Sequence, residues 1–239
     1  MGGETTISGL KPVARQSTEA MVTEHLRDFI LSGEIAPGAR LTEIALAEQL
    51  GVARSTLRMS LHRLAGEGMV TLVPYTGWHV AALTAEDIWE IWTLRGSLES
   101  LASRLAAARP DPEVHHRLET FFTALETACA RGSLREMIEA DVALHRGIVE
   151  AAGHRRLAAQ YRVVEAQVRL FVSTSNSFVA TGPDDIIAQH APLIAALRAR
   201  APEEAARAAW EHDETEGRRL TAWLAAHPGT GPGTGPGTP

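Results

Sequence analysis

The stretch Gly33–Val80, GEIAPGARLTEIALAEQLGVARSTLRMSLHRLAGEGMVTLVPYTGWHV, decides the fold of the N-terminal third of this chain. Pro37-Gly38 reads as a turn. Thr42 is expected to cap a short helix that runs through Leu50 and stops at Gly51. A further helix is expected from about Ala53 to Gly66. Val70–Val73 and Trp78–Ala82 are β-like runs joined by Pro74-Tyr75-Thr76-Gly77, which predicts a hairpin. Upstream, Met21, Val22, Leu26, Phe29 and Ile30 keep helical spacing from Thr18 to Ser32, and Gly33 ends that run. Three helices and a hairpin in this order predict a compact winged helix-turn-helix.

The third helix carries the chemistry of this unit. No acidic residue lies between Glu48 and Glu67, whereas Arg54, Arg58, His62 and Arg63 do. Arg54 and Arg58 are four apart and point the same way, opposite an apolar side formed by Leu50, Leu57, Leu61 and Leu64. An arginine at the start of a recognition helix can bond guanine O6 and N7 in bidentate fashion. Ser55 and Thr56 can contact phosphates or bases. Gly77 lets the wing backbone approach DNA closely. Taken alone, such a basic face is more often merely solvated; the order of elements reverses those odds.

The whole molecule is not a basic nucleic-acid binder, because 239 residues carry a net charge of −6. DNA affinity must come from the local patch. Cys129 is the single cysteine, which excludes an intramolecular disulfide and a zinc site built on thiolates. No apolar run approaches the roughly 20 residues of a membrane span, and Met1–Ser8 lacks a signal-peptide core, so a cytoplasmic protein is expected. Lys11 is the single lysine beside the arginines, which reads as base-composition bias.

From Thr84, with Asp87 at the capping-box position, the signal is helical only. Six helices are expected at about 84–109, 111–131, 133–152, 154–176, 183–200 and 202–226, a bundle following the winged unit. The expected fold class is mainly α. Its divisions are a flexible start (1–16), a DNA-binding domain (17–82), an all-helical domain (83–227) and a disordered Gly/Pro/Thr tail (228–239).

Within the bundle, Asp141 and His145 are one helical turn apart on a stripe of Met137, Ile138, Leu144, Ile148 and Ala152. His190 interrupts Ile186, Ile187, Leu193, Ile194 and Leu197, and His212 shares a face with Ala205, Ala208 and Leu220. Polar side chains on apolar stripes are costly unless something uses them. Any one such histidine is more often a satisfied core residue. Together, one Asp and three His from three helices predict a metal site. That donor set suits zinc, nickel, manganese or iron and argues against Cu(I). Histidines at 25, 62, 79, 115, 116, 154 and 227 lack this placement. Arg95 shares the stripe of Ile88, Ile91, Trp92, Leu98 and Ala102. Either Glu99 pairs with it internally, or its fork meets a ligand carboxylate.

The N-terminal stretch resembles the DNA-binding domain of GntR-family transcriptional regulators, from about Val22 to Val80. Where that family commonly has Ser-Arg-Thr-Pro-Val-Arg-Glu-Ala-Leu, this chain reads Ala53-Arg54-Ser55-Thr56-Leu57-Arg58-Met59-Ser60-Leu61. LRGSLESLASRLAA, DVALHRGIVEAAGHRRL and QHAPLIAALRARAPEEAARAAWEHD are similar to the FCD effector domain of the FadR subfamily, and six helices resemble its VanR-like branch. Leu144 stands where Phe is common, and His154 where Asn often caps the next helix. The resemblance implies metal ligands at Asp141, His145, His190 and His212, with Arg95 as the effector arginine.

The function so expected is a ligand-responsive transcriptional regulator, with repression the favoured sense. It would be a homodimer on palindromic DNA half-sites and would sense a small carboxylate through a divalent metal, zinc first, and Arg95. Competing classes are a metal-dependent hydrolase or lyase fused to a DNA-binding module, and a constitutive DNA-binder with a structural metal. Against an enzyme, Glu99 is the one nearby candidate for a general base.

Overall fold

In a computed structural model of the protein, residues 17–227 are described, apart from 32, 33 and 36. The flexible start, the Gly/Pro/Thr tail and the helix stop at Gly33 fall outside the described residues. The elements are α1 (Thr18–Leu31), β1 (Arg40–Leu41), α2 (Glu43–Leu50), α3 (Arg54–Gly66), β2 (Val70–Val73) and β3 (Gly77–Val80), then α4 (Ala85–Ala107), α5 (Pro112–Arg131), α6 (Leu134–Ala151), α7 (Arg155–Phe178), α8 (Pro183–Arg198) and α9 (Pro202–Ala226).

Local chemistry accounts for most of these bounds. Gly51 ends α2 in the left-handed region at φ 63°, its N–H donating to the carbonyls of Ala47 and Glu48. Thr42 stands at the N-cap of α2 but makes no side-chain cap bond. Thr84 and Asp87 form the reciprocal capping box of α4. His154 caps α7 with its imidazole, Nδ1 accepting from the Leu157 amide at 3.2 Å. The role expected of an asparagine there is filled by a ring nitrogen.

The wing differs from expectation in two respects. It has three strands in the order β1-β3-β2, all antiparallel, with Leu41 opposite Trp78 and Val70 opposite Val80. β1 is two residues long, too short to show an alternating pattern in sequence. β3 ends at Val80 rather than Ala82, although the Ala81 amide still donates in register to the Met69 carbonyl.

Two buried clusters form. Leu26, Ile30, Leu57, Leu61, Leu64, Trp78 and Val80 belong to the first. Ile88, Leu118, Phe122, Leu125, Leu144, Phe171 and Leu193 belong to the second, inside the bundle of α4–α9. Two glycines set the spacing of α4 and α9. A Cβ on Gly217 would overlap the Trp92 indole, and one on Gly96 would lie 3.1 Å from Trp210. Each helix thus offers a bare patch of backbone to the other's tryptophan, and the two indoles meet edge to face at 5.6 Å. This close approach brings Arg95 of α4 against Asp213 and Glu216 of α9.

Gly217→Ala should therefore force the two helices apart. The expected loss of stability is about 1–3 kcal/mol, the usual cost of overpacking, read from urea denaturation.

Candidate DNA-reading surface and metal centre

The first turn of α3 places Arg54 and Ser55 at the surface, with Thr56 half-buried, and Arg58 follows one turn on. Leu57, Leu61 and Leu64 point into the core with no exposed surface. Gly77 opens β3 at φ 95°, after the exposed Tyr75 at φ 67°. The arginines have a partner that the sequence reading missed. Glu43, the first residue of α2, accepts from Arg58 Nη2 at 2.7 Å, Arg58 Nε at 3.2 Å and Trp78 Nε1 at 3.0 Å. Arg54 Nη2 stands 3.9 Å from the same carboxylate. The bond to Arg58 holds the Glu43 carboxyl below its ordinary range. Glu43 is eleven positions before Arg54, so no local spacing announces the contact.

In the bundle, Asp141, His145, His190 and His212 are all buried and brought together. Asp141 Oδ1 lies 3.3 Å from His145 Nε2 and 3.4 Å from His190 Nε2, and those two nitrogens are 3.2 Å apart. The rings of His190 and His212 have centroids 4.4 Å apart. His145, His190 and His212 can each direct a nitrogen at one ion.

The outer ring nitrogens fix the tautomers. Nδ1 of His190 lies 2.8 Å from the Ile186 carbonyl, and Nδ1 of His212 lies 3.3 Å from the Gln189 carbonyl. A carbonyl only accepts, so both Nδ1 atoms carry the proton and both Nε2 atoms present lone pairs. Nδ1 of His145 is 2.5 Å from Glu99 Oε2. His212 Nε2 is buried with no hydrogen-bond partner among the described residues. Lone pairs converging with a carboxylate oxygen repel one another unless a cation sits between them. The separations of 3.2–3.4 Å among Asp141 Oδ1, His145 Nε2 and His190 Nε2 match the edges of a coordination polyhedron with metal–nitrogen bonds of about 2.0–2.1 Å. The donor set fits a divalent metal.

Around these four residues stands a second ring of charge. Arg95 is fully buried. Its Nε lies 2.9 Å from Glu99 Oε1 and 3.0 Å from Asp213 Oδ1, its Nη1 is 2.8 Å from Glu216 Oε2, and its Nη2 faces His145 Nε2 at 2.8 Å. Its guanidinium lies 5.7 Å from the Phe171 ring centre. Tyr161 donates to Glu99 Oε1 at 2.8 Å, and Asn176 Nδ2 donates to Asp141 Oδ2 at 2.8 Å. The internal pairing of Arg95 with Glu99 is thus present, and Asp213 and Glu216 join it. The expectation that Glu99 is the one nearby carboxylate needs correction. Asp213 and Glu216 sit on the same α9 turn as His212, in a sequence whose run of charges reads as a solvated face.

The electrostatics follow from burial opposed by pairing. Burial disfavours the charged Glu99, yet Arg95 and His145 hold its carboxyl well below the usual range. Burial likewise opposes Glu216, which Arg95 brings down to about 2. Asp213 goes the other way: burial pushes its carboxyl up, and Arg95 only partly offsets this. Burial alone would lower His145, but Glu99 and Asp141 push it up to about 10. A carboxylate behind an imidazole raises its basicity, which also makes it a stronger metal ligand. His212 has only Glu216 to oppose burial and shifts down.

Comparison with known proteins gives the family of both units. The pattern of the bacterial regulatory proteins of the gntR family matches residues 18–80, and that of the FCD domain matches residues 90–215. This chain is a GntR-family transcriptional regulator with an FCD domain. An uncharacterized HTH-type regulator of Mycobacterium tuberculosis is 33% identical over 175 residues, 66% of this chain and 71% of its own length. A protein of Paenarthrobacter nicotinovorans named as a probable D-xylose utilization operon transcriptional repressor is 28% identical over 203 residues, 83% of this chain and 88% of its own. A crystal structure of a GntR regulator from Rhodococcus sp. RHA1 superposes with a TM-score of 0.72 at 24% identity, covering 89% of this chain and all of that one. Escherichia coli McbR/YncC follows at 0.68 and 23%, covering 87% and 99%. The family and these relatives are regulators of transcription, not enzymes, and DNA binding is the family's property. No described helix of this GntR regulator is long and apolar enough to cross a membrane.

Arg95→Met in this regulator would leave the buried carboxylates of Glu99 and Glu216 without their guanidinium. Stability at neutral pH should fall by about 3–5 kcal/mol, the cost of breaking a buried pair. The deficit should shrink as pH falls, because the orphaned carboxyls take up protons more readily folded than unfolded. Urea melts of wild type and variant across pH check both the size and the sign.

Proposed function

We propose that the chain is a metal-loaded carboxylate sensor, most consistent with a repressor, that acts as a homodimer on palindromic operators. We take residues 17–82 as its DNA-reading unit and 83–227 as its effector unit. The observation that carries the sensor reading is the contact of Arg95 Nη2 with His145 Nε2. The ring nitrogen that would ligate a metal faces one arginine arm at 2.8 Å. With His145 Nε2 committed to a metal, that arm would stand beside the ion as a donor for an external carboxylate. Asp141, His145, His190 and His212 would hold the metal. Glu99 would orient His145, and Asn176 would orient Asp141. A dication here supplies positive charge for the effector's oxygens and balances carboxylates that Arg95 alone cannot.

Zinc suits three imidazoles and one carboxylate without demanding a fixed geometry. An approach exists in a cleft of about 220 Å³ between α8 and α9, lined by Gln189, Pro192, Glu211, His212 and Thr215. Glu216 already occupies Arg95 Nη1 and stands 3.4 Å from His212 Nε2. An incoming carboxylate therefore exchanges with it, which favours effectors bearing more than one acidic group. On DNA, Arg54 and Arg58 read guanines in the major groove, with Ser55, Thr56 and the Gly77 wing on the backbone. A dimer follows because one recognition helix reads too few bases. The effector shifts DNA affinity by its differential affinity for two placements of the winged units.

Two experiments test this reading. Arg54→Ala with Arg58→Ala should weaken binding to a selected operator by about 1–3 kcal/mol per lost bidentate contact while the fold persists by circular dichroism. Unchanged specific binding would remove α3 from the interface. For the sensor, elemental analysis should find about one metal per chain in the wild type and a loss in His145→Ala and His190→Ala, in line with a ligand set of this size. Metal-loaded wild type should then gain melting temperature with citrate or succinate and lose that gain in chelator. Full metal content in both variants would sink the ligand assignment, and a melt indifferent to carboxylates would sink the sensor.

A further inference from the structure

α7 runs between the two cores and uses different faces for each. Toward the winged unit, Ala166 packs against its buried cluster, and Gln167 lies next to Gly68 at the base of the wing. Ser173, itself buried, donates its hydroxyl to the carbonyl of Leu31 at 2.6 Å. Leu31 is the last residue of α1, so this bond closes a carbonyl that the helix itself leaves open. Toward the bundle, Phe171 lies beneath Arg95, and Asn176 holds Asp141 Oδ2.

The rest of the contact between the two units is soft. Arg135 reaches Asp28 at 3.4 Å with both side chains largely exposed. Elsewhere a crevice of about 320 Å³ opens between the wing base and α4, with Gly68, Thr71, Leu83, Ile91, Gln167 and Leu170 in its lining. The winged unit has room to re-seat, and Ser173 is where it is pinned by a buried bond.

We propose that Asn176 and Ser173 form a transmission link through which occupancy of the metal centre sets the position of the C-terminal end of α1. The inference rests on the metal reading above. Asn176 and Ser173 are three residues apart and so are neighbours on one helical turn. Asp141 offers Oδ1 to the ion and Oδ2 to Asn176. A carboxylate drawn toward a metal through one oxygen turns the other and weakens its acceptance, so the Asn176 bond must follow. A hydrogen-bonded helix does not stretch between these positions. The displacement therefore reaches Ser173 and the α1 carbonyl it holds. Water cannot substitute for either bond, since both are buried.

The test uses the full chain, zinc-loaded or chelator-stripped, with zinc itself as the probe. Hydrogen–deuterium exchange is followed in the last turn of α1, Asp28–Leu31. Wild type should show a zinc-dependent change in exchange there of at least about fivefold, the low end of coupling between sites. Ser173→Ala should bind zinc with wild-type stoichiometry, keep wild-type exchange in α5 and α8, and lose the zinc-dependent change in α1. Asn176→Ala, at saturating zinc, should cut the same link from the other side and covers the case in which the serine variant folds poorly. The link is overturned if Ser173→Ala retains the full zinc effect, or if wild type binds zinc and α1 does not respond. A wild type that takes up no zinc refutes the metal reading and the link together, and the zinc content separates that result from the other two.

Discussion

The helical unit depends on the compensation of one buried guanidinium. Arg95 stands at the centre of Glu99, Asp213 and Glu216, and none of the four has meaningful contact with solvent. Charges so placed have lost the stabilisation of water, and only mutual pairing returns it. The arrangement is therefore permitted by geometry more than favoured by energy. α4 must lie close enough to α9 for one fork to reach two residues a turn apart. Gly96 and Gly217 provide that closeness, which connects a packing detail at the bundle's edge to the electrostatics of its middle.

The same crowding gives each of the four clustered side chains a dedicated support. His145 has Glu99, His190 has the Ile186 carbonyl, His212 has the Gln189 carbonyl, and Asp141 has Asn176. Three of these supports hold a ring by its far nitrogen and so decide which nitrogen faces inward. Two of the supports are backbone carbonyls on α8, so that helix orients a ligand from its own turn and a ligand on α9.

Much of this was legible in the sequence, for identifiable reasons. Helix bounds were marked by Gly51, Gly132 and the Thr84 capping box, where local chemistry decides the structure. The clustered Asp141, His145, His190 and His212 were legible because a polar side chain on an apolar stripe violates the pattern around it. Asp213 and Glu216 were not, because acids in the Glu211–Glu216 run resemble any solvated helix face and only the close approach of α4 buries them. Glu43 escaped for a different reason: its partners, Arg58 and Trp78, come from two other elements. β1 is simply shorter than any period that could reveal it.

The Glu43 clamp has a bearing on how the protein searches DNA. A free arginine fork adheres to any phosphate, and such contacts supply most of the sequence-independent affinity of DNA-binding proteins. Here the fork of Arg58 is already satisfied by a carboxylate on a neighbouring helix, itself braced by a core tryptophan. Phosphate must compete with that carboxylate, and the carboxylate repels the backbone. A guanine edge offers two aligned acceptors to the outer side of the same fork. If α3 reads DNA as proposed, its surface would be biased toward rapid release from the wrong sequence, at some cost in absolute grip on the right one.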